Sequence, residues 1–211
     1  TIITYSITYE LNGGSGNVSN PLTYTIESAD INLSSSGVTR LGYNFNKFTS
    51  AGSTITKIPK GSIGDRIITY NWTIINYTVT FDADGGSPVN NITYNVNTST
   101  ITLPNTSKNG YTFSGWFEGG VRYTNIPKGS VGNRNFKAVY NINSYNIIFK
   151  NQDDVILQQG EQIFNNNLVF NQTTPTYTPT QNKIMSVFKF VGWSTNKNAN
   201  PDQAKTLAQL G

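Results

Sequence analysis

The chain has 211 residues, a net charge of +4 and 12% charged residues, and it contains neither cysteine nor histidine. The missing cysteines exclude disulfides, thiolate metal sites and cysteine nucleophiles. The missing histidines remove the commonest general base and the commonest metal ligand, so an enzyme of this composition would depend on carboxylates, lysines and tyrosines. We therefore predict a non-enzymatic chain with no catalytic, metal-binding or cofactor-binding residues and no cofactor.

The 15 basic residues are spread along the chain without forming a run. A nucleic-acid-binding surface normally needs a denser basic stripe, so we predict no nucleic-acid partner. No stretch approaches the roughly 18 apolar residues of a membrane span, so we predict no membrane-spanning segment.

An alternating stretch opens the chain, with Tyr5, Ile7 and Tyr9 on one face of a predicted strand. The same alternation returns at 77–81 and at 145–149. A Gly-Gly pair follows the first two of these stretches and supplies the backbone freedom for a turn. The pattern predicts half-buried antiparallel strands whose threonines face water.

The chain repeats itself, and the offset between the matched blocks becomes slightly shorter from the first block to the last. The clearest matches are YSITYELNGG at 5–14 with YTVTFDADGG at 77–86, GYNFNKF at 42–48 with GYTFSGW at 110–116, and TKIPKGSIGDR at 56–66 with TNIPKGSVGNR at 124–134. Each copy ends in a predicted closing strand, carried by Ile68, Tyr70 and Trp72 or by Phe136, Ala138 and Tyr140. We interpret the chain as a duplicated module whose loops have drifted in length.

A third, divergent copy begins with YNIIF at 145–149, and its FVGW at 190–193 matches FSGW at 113–116. A Pro/Thr-rich stretch fills 171–182. The best helix candidate in the chain is NPDQAKTLAQLG at 200–211, with Asn200 as the N-cap and Pro201 as the first helical residue.

These matches predict tandem small β modules, mainly β with minor α. The predicted organisation is a connector from a preceding repeat at 1–4, module 1 at 5–72, a connector at 73–76, module 2 at 77–140, a connector at 141–144, and a divergent module 3 at 145–211. TIITY at 1–5 overlays the connector TIINY at 73–77, so we expect the sequence to begin in a connector that follows another copy. The stretch that follows Trp193 is shorter than the equivalent stretch of module 2, from Trp116 to Tyr140. Module 3 is therefore expected to lack its last strand or to close differently.

The order Tyr-x-Val-x-Phe, Gly-Gly, Gly-Tyr-x-Phe-x-Gly-Trp, Gly-Ser-x-Gly-Asn and a closing aromatic residue resembles the Listeria–Bacteroides repeat. That family includes the B-repeat of internalin B and repeats of related bacterial surface proteins. Module 2 carries nearly the full pattern, module 1 has Lys47-Phe48 in place of Gly-Trp, and the middle of module 3 is closer to a mucin-binding type of module. The resemblance implies β-grasp-like modules that act as spacers and as interaction or adhesion modules. It brings no catalytic residues.

Two short motifs have alternative interpretations as ligand sites. PKGSxG at 59–64 and 127–132 has the composition of a phosphate loop, but its lysine precedes the glycine and a strand is predicted to follow. DADGG at 82–86 has the composition of a calcium loop, but Asn91 stands where an EF-hand needs its glutamate. For both motifs we predict turns.

Trp72, Trp116 and Trp193 could form a platform for sugar stacking. Trp116 and Trp193 recur at one repeat position beside glycine, which favours core packing. A Lys–Asn isopeptide crosslink would suit a stalk without cysteine, but no Lys, Asn and carboxylate triplet repeats between the copies.

Our prediction is a repeat segment of a bacterial cell-surface or secreted protein, acting as a stalk or spacer and as an adhesion or protein-interaction module. The expected location is extracellular, at the cell surface or attached to the cell wall. Expected partners are neighbouring repeats of the same chain and a host or neighbouring-cell surface protein or glycan. The alternative is an array of carbohydrate-binding modules within a large extracellular enzyme.

Overall fold

The computed structural model describes residues 1–151, 153–173, 190, 192–196 and 203–210. The described chain is mainly β, as predicted from the sequence. It divides into two compact units, one formed by Thr1–Ala83, Pro88–Pro104 and Trp116–Lys137, the other by Asp84–Ser87, Asn105–Gly115 and Ala138–Gly211. The boundaries of the units therefore fall within the second repeat.

The first repeat forms a five-stranded sheet and two small two-stranded sheets. Its strands are β1 (Thr4–Glu10), β2 (Ser15–Gly16), β3 (Thr23–Thr25), β4 (Ile31–Asn32), β5 (Val38–Thr39), β6 (Tyr43–Ser50), β7 (Ser53–Ile55), β8 (Lys57–Ile58) and β9 (Arg66–Ile74). The large sheet has the order β3-β1-β9-β6-β7, and β2 pairs with β5 and β4 with β8.

The second repeat has the same strand order. Its strands are β10 (Tyr77–Asp82), β11 (Ile92–Tyr94), β12 (Ile101–Thr102), β13 (Tyr111–Glu118), β14 (Val121–Tyr123), β15 (Asn125–Ile126) and β16 (Arg134–Ile142). The large sheet runs β11-β10-β16-β13-β14, and β12 pairs with β15. The predicted closing strands are confirmed as β9 and β16.

The predicted antiparallel pairing is confirmed on one side of each opening strand and wrong on the other, because the opening and closing strands of each repeat run parallel. β1 pairs antiparallel with β3 through its first residues and parallel with β9 through Ile7–Glu10. β10 pairs with β11 and β16 in the same way. Alternation along a strand shows which side chains share a face, but it does not identify the neighbouring strand.

The core of the first repeat lies against the large sheet and consists mostly of aromatic and branched side chains. Its buried members are Ile7, Tyr24, Val38, Phe48, Ile58, Ile68 and Tyr70. At the position where the family pattern has tryptophan, the ring of Phe48 packs edge-on against Tyr70, with 4.9 Å between the centroids. The residue equivalent to Tyr70 in the second repeat is Ala138. The two repeats therefore fill equivalent core positions with side chains of different sizes.

The third repeat begins with an antiparallel hairpin of β17 (Ser144–Lys150) and β18 (Ile156–Ile163). Phe149 is buried and packs against Trp193 at a centroid distance of 4.8 Å. The equivalent rings in the second repeat, Phe81 and Trp116, are also 4.8 Å apart. This core contact is therefore retained in the divergent copy.

The helix predicted over 200–211 is wrong where the chain is described. Lys205 forms an antiparallel bridge with Trp193, through backbone hydrogen bonds of 2.7 and 2.9 Å. Because the bridge uses the backbone groups of Lys205, no continuous helix runs through the described residues 203–210, where Gln203 and the turn Leu207–Gln209 have 3-10 geometry. The predicted cap residues, Asn200 and Pro201, lie outside the described residues.

Candidate functional site

The IPKGSxG segments at 58–64 and 126–132, here called the closing loops, form the same turn in both repeats. The amide of Ser62 donates to the carbonyl oxygen of Pro59 at 3.2 Å, and the equivalent bond in the second repeat has the same length. A strand follows the first loop, beginning at Arg66, as the sequence predicted. A phosphate loop would instead lead into a helix.

A polar side chain from an earlier loop holds each closing loop. Asp30 accepts a hydrogen bond from the Lys60 amide at 2.8 Å and forms a 2.5 Å ion pair with Lys57. The hydrogen bond from Lys57 and then that from the Lys60 amide hold the pKa of Asp30 below its usual value. In the second repeat the hydroxyl of Thr100 accepts from the Lys128 amide at 3.2 Å. In a phosphate loop the backbone amide of the lysine would donate to phosphate. Here it already donates a hydrogen bond to a side chain of the protein.

The residue after each closing loop also has one role in both repeats. The carboxylate of Asp65 accepts from the Ser6 amide at 2.7 Å, and the side-chain oxygen of Asn133 accepts from the Thr78 amide at 2.9 Å. The bond from the Ser6 amide lowers the pKa of Asp65. The opening strand is therefore hydrogen-bonded to an ionisable carboxylate in the first repeat and to a neutral amide side chain in the second.

The carbonyl oxygen of the last glycine in each closing loop accepts a hydrogen bond from a tyrosine hydroxyl. Tyr24 donates to the carbonyl oxygen of Gly64 and Tyr94 to that of Gly132, each at 2.5 Å. Both tyrosines are buried, and burial raises the pKa of Tyr94. These hydrogen bonds support the interpretation of the segment as a structural closure of the module.

The DADGG segment forms a tight turn whose carbonyl group is bound by a cation of the chain itself. Asp84 and Gly85 both have positive φ, at 49° and 81°. The ammonium of Lys108 donates to the carbonyl oxygen of Asp84 at 2.8 Å. In the first repeat the guanidinium of Arg40 donates to the carbonyl oxygen of Asn12 at 2.9 Å. The turn thus presents this carbonyl oxygen to a side-chain cation where a calcium loop would present its oxygens to metal.

The two glycines of this turn serve different purposes. Gly85 takes the left-handed conformation, which glycine adopts without strain. Gly86 lies against a ring, since a methyl group added there would overlap the hydroxyl of Tyr140. In the first repeat a methyl group at Gly14 would lie 2.7 Å from the ring of Trp72. The second glycine therefore makes room for the aromatic residue of the closing strand.

The three tryptophans pack against the rings of their own repeats. Trp116 is 2% exposed, and its indole N–H donates to the carbonyl oxygen of Pro104 at 2.6 Å. Trp72 and Trp193 are half-buried. Trp72 stacks against Tyr70 and donates to the carbonyl oxygen of Leu11 at 2.9 Å. Core packing is confirmed for Trp116, which carries the predicted repeat position.

The side chain of the buried Asn20 in the first repeat forms two hydrogen bonds with the backbone of Ser34. Its amide group donates to the carbonyl oxygen of Ser34 at 2.8 Å and accepts from the Ser34 amide at 2.9 Å. This reciprocal pair satisfies the amide side chain without a covalent bond to lysine.

The family model of the Listeria–Bacteroides repeat domain matches residues 5–70 and again residues 77–139. This chain belongs to the Listeria–Bacteroides repeat family. No curated protein and no solved structure matches it. The family is typical of bacterial surface proteins.

Both matched repeats of this chain have a Gly-Tyr pair at the start of a long strand, β6 or β13, and residues of the following connector and repeat contact it. We call Gly42-Tyr43 and Gly110-Tyr111 the Gly-Tyr corners. At the first corner the amide of Ile75 donates to the carbonyl oxygen of Gly42 at 2.9 Å. The side chain of Val96 lies so close that a methyl group on Gly42 would be 2.7 Å from its Cβ. The amide side chain of Asn97 donates to the Tyr43 hydroxyl at 2.9 Å.

The second Gly-Tyr corner is bound in an equivalent way. The amide of Asn143 donates to the carbonyl oxygen of Gly110 at 2.9 Å, and the ring of Phe164 lies over that glycine. Phe164 also packs edge-on against Tyr111, at a centroid distance of 5.8 Å. Gly42 and Gly110 share a φ of 76°. The two corners with their bound residues, here called the joints, therefore repeat one geometry along the chain.

The joints were not predicted from the sequence. The sequence signal for them is that Val96 and Phe164 are separated by the same number of residues as the two Gly-Tyr pairs.

Among the described residues there is no helix long and apolar enough to cross a membrane. In the same part of the chain no three acidic side chains come together as a metal site.

Proposed function

We propose that this chain is a non-enzymatic repeat segment of a bacterial cell-surface or secreted protein that acts as a stalk or spacer, and as an adhesion or protein-interaction module. The proposed location is extracellular, at the cell surface or attached to the cell wall. The observation that supports the spacer role is the repeated joint, in which the connector binds a Gly-Tyr corner through a backbone hydrogen bond and the following repeat contacts it through an apolar side chain.

A spacer transmits position only when adjacent repeats do not swing freely. A short linker that is free in solution still allows a wide range of orientations. At each joint the connector itself is bound, because the amides of Ile75 and Asn143 donate to the preceding corner. The bound connector and the packed side chain together restrict the relative motion of the repeats on each side of a joint.

The proposed fold of each matched repeat is a β-grasp variant. A mixed sheet with the parallel pair β1 and β9 at its centre supports this proposal. The segment between β3 and β6, where a β-grasp has its helix, contains the short strands β4 and β5.

Backbone amide relaxation of the complete chain tests the spacer role. Stiff joints give the first two repeats one shared rotational correlation time. The joint variant Val96→Ser is expected to shorten that time, whereas Ile63→Ser, at an exposed position in a closing loop, is expected to leave it unchanged. Independent tumbling of the two repeats in the unaltered chain would contradict the spacer proposal.

A glycan array and a set of surface-protein extracts test the adhesion part. Binding to a defined glycan that is lost when an exposed aromatic side chain is replaced would favour the alternative, an array of carbohydrate-binding modules. Burial of Trp116 and packing of Trp72 and Trp193 within their own repeats argue for the surface-repeat proposal instead.

A further inference from the structure

The first repeat also has an apolar residue at the position that contacts the Gly-Tyr corner in the joints, but in this repeat the residue is exposed. Val96 of the second repeat and Phe164 of the third pack against Gly-Tyr corners, and both are half-buried. The equivalent residue of the first repeat is Ile26, because TYTI at 23–26 aligns with TYNV at 93–96. Ile26 is 51% exposed. The first repeat therefore has one half of a joint.

The connector residue of this half-joint is present too. Ile3 corresponds to Ile75, whose amide donates to the carbonyl oxygen of the first corner. Ile3 is 63% exposed, and the neighbouring Ile2 is also more than half exposed. Isolated exposed apolar residues are normal on a protein surface, whereas a group of them at one structural position marks an interaction site.

The polar contact of the joint also has its counterpart. Asn97, which donates to the hydroxyl of Tyr43, corresponds to Glu27 in the first repeat. Glu27 is exposed. A tyrosine hydroxyl is both donor and acceptor, so it can donate to the carboxylate of Glu27 where it accepts from Asn97.

We propose that the face formed by Ile3, Ile26 and Glu27, here called the docking face, binds the Gly-Tyr corner of a further Listeria–Bacteroides repeat. The occupant is defined by chemistry: a glycine carbonyl that accepts from the amide of Ile3, a glycine surface that receives Ile26, and a tyrosine hydroxyl that pairs with Glu27. Both Gly-Tyr pairs of this chain are bound within it, and the sequence contains no third pair. The partner is therefore a repeat outside residues 1–211. This proposal does not depend on the stalk role, because a docked repeat would bind through the same contacts in an adhesive assembly.

Thiol labelling tests this docking, because the chain has no cysteine of its own. Ile26→Cys is made in the complete chain and in an extended chain that is preceded by an additional copy of residues 5–72. Residues 1–4 then serve as the connector. We expect a maleimide to react about tenfold more slowly at position 26 of the extended chain, because reactivity of a thiol follows its exposure.

Two variants provide controls. Ile63→Cys, at an exposed position away from the docking face, is expected to react at the same rate in both chains. Tyr43→Ala within the additional copy alone is expected to restore fast labelling at position 26. Amide spectra verify that the additional copy is folded in each case. Equal labelling rates at position 26 with and without a folded additional copy would overturn the proposal, and so would protection that survives loss of the corner tyrosine.

Discussion

Replacing Gly110 by alanine tests the joint between the second and third repeats. Gly110 has a φ of 76°, and an added methyl group would overlap the ring of Phe164. Gly120 provides a matched control, since its φ is 81° and an added methyl group would meet no described atom within 4 Å. Both substitutions carry the backbone cost of a left-handed alanine, about 1–2 kcal/mol. The difference between them isolates the joint.

The expected difference follows from the contacts that the methyl group displaces. Phe164 is half-buried, so its removal from the corner costs about 1 kcal/mol of apolar burial. Its edge-on contact with Tyr111 contributes about 1 kcal/mol, and the hydrogen bond from the Asn143 amide about 1 kcal/mol. Gly110→Ala is therefore expected to destabilise the third repeat by about 2–3 kcal/mol more than Gly120→Ala.

Urea unfolding of the complete chain, followed through amide signals of β10 and β17, measures this difference. Phe164→Ala removes the ring without altering the corner, so in that background Gly110→Ala should cost no more than Gly120→Ala. A difference below about 0.5 kcal/mol between the two glycine variants, the usual size of a surface effect, would refute the reasoning about the joint.

Three further predictions concern single modules. Asp65 has a lowered pKa and stabilises the first repeat above the ordinary aspartate pKa, so this contribution is lost as pH falls below that ordinary value of about 4. Asp65→Asn, which copies Asn133, should remove that part of the acid dependence in urea titrations. Burial raises the pKa of Tyr9 to about 12, so the first repeat should lose stability as pH rises from about 10 to 12. Tyr9→Phe, which copies Phe81, should reduce that loss in the same titration. Trp116→Ala should destabilise the second repeat by about 4 kcal/mol in thermal unfolding, and a cost below about 1 kcal/mol would contradict its core role.

The sequence was sufficient to identify the repeat, the family and the closing strands. Alternating residues such as Ile68 and Tyr70 indicate a strand with one buried face, and both side chains are fully buried. Alternation could not show that this strand runs parallel to the opening strand, because pairing depends on the path of the intervening chain. The helix predicted at 200–211 failed for a related reason, since cap and periodicity signals do not register a competing bridge such as that of Lys205 with Trp193.

Long-range contacts account for most of what the sequence did not predict. The Gly-Gly pair was predicted to form a turn. The second glycine, Gly86, has a further reason, because Tyr140 at the far end of the same module leaves no room for a side chain there. The joints combine a glycine carbonyl with an apolar residue of the next repeat, and neither group is distinctive by itself. Comparing equivalent positions between repeats would have revealed both relationships.

The Gly-Tyr corner binds valine in one joint and phenylalanine in the other while keeping the same backbone hydrogen bond. The corner contributes a main-chain carbonyl oxygen and a glycine surface without a side chain. The residue of the next repeat that packs there therefore needs to be apolar, but its size and shape can vary. Recombination between gene segments that adds or deletes one whole repeat would therefore create a new junction that already fits. The number of repeats can change in a single genetic event, without compensating substitutions at the junction.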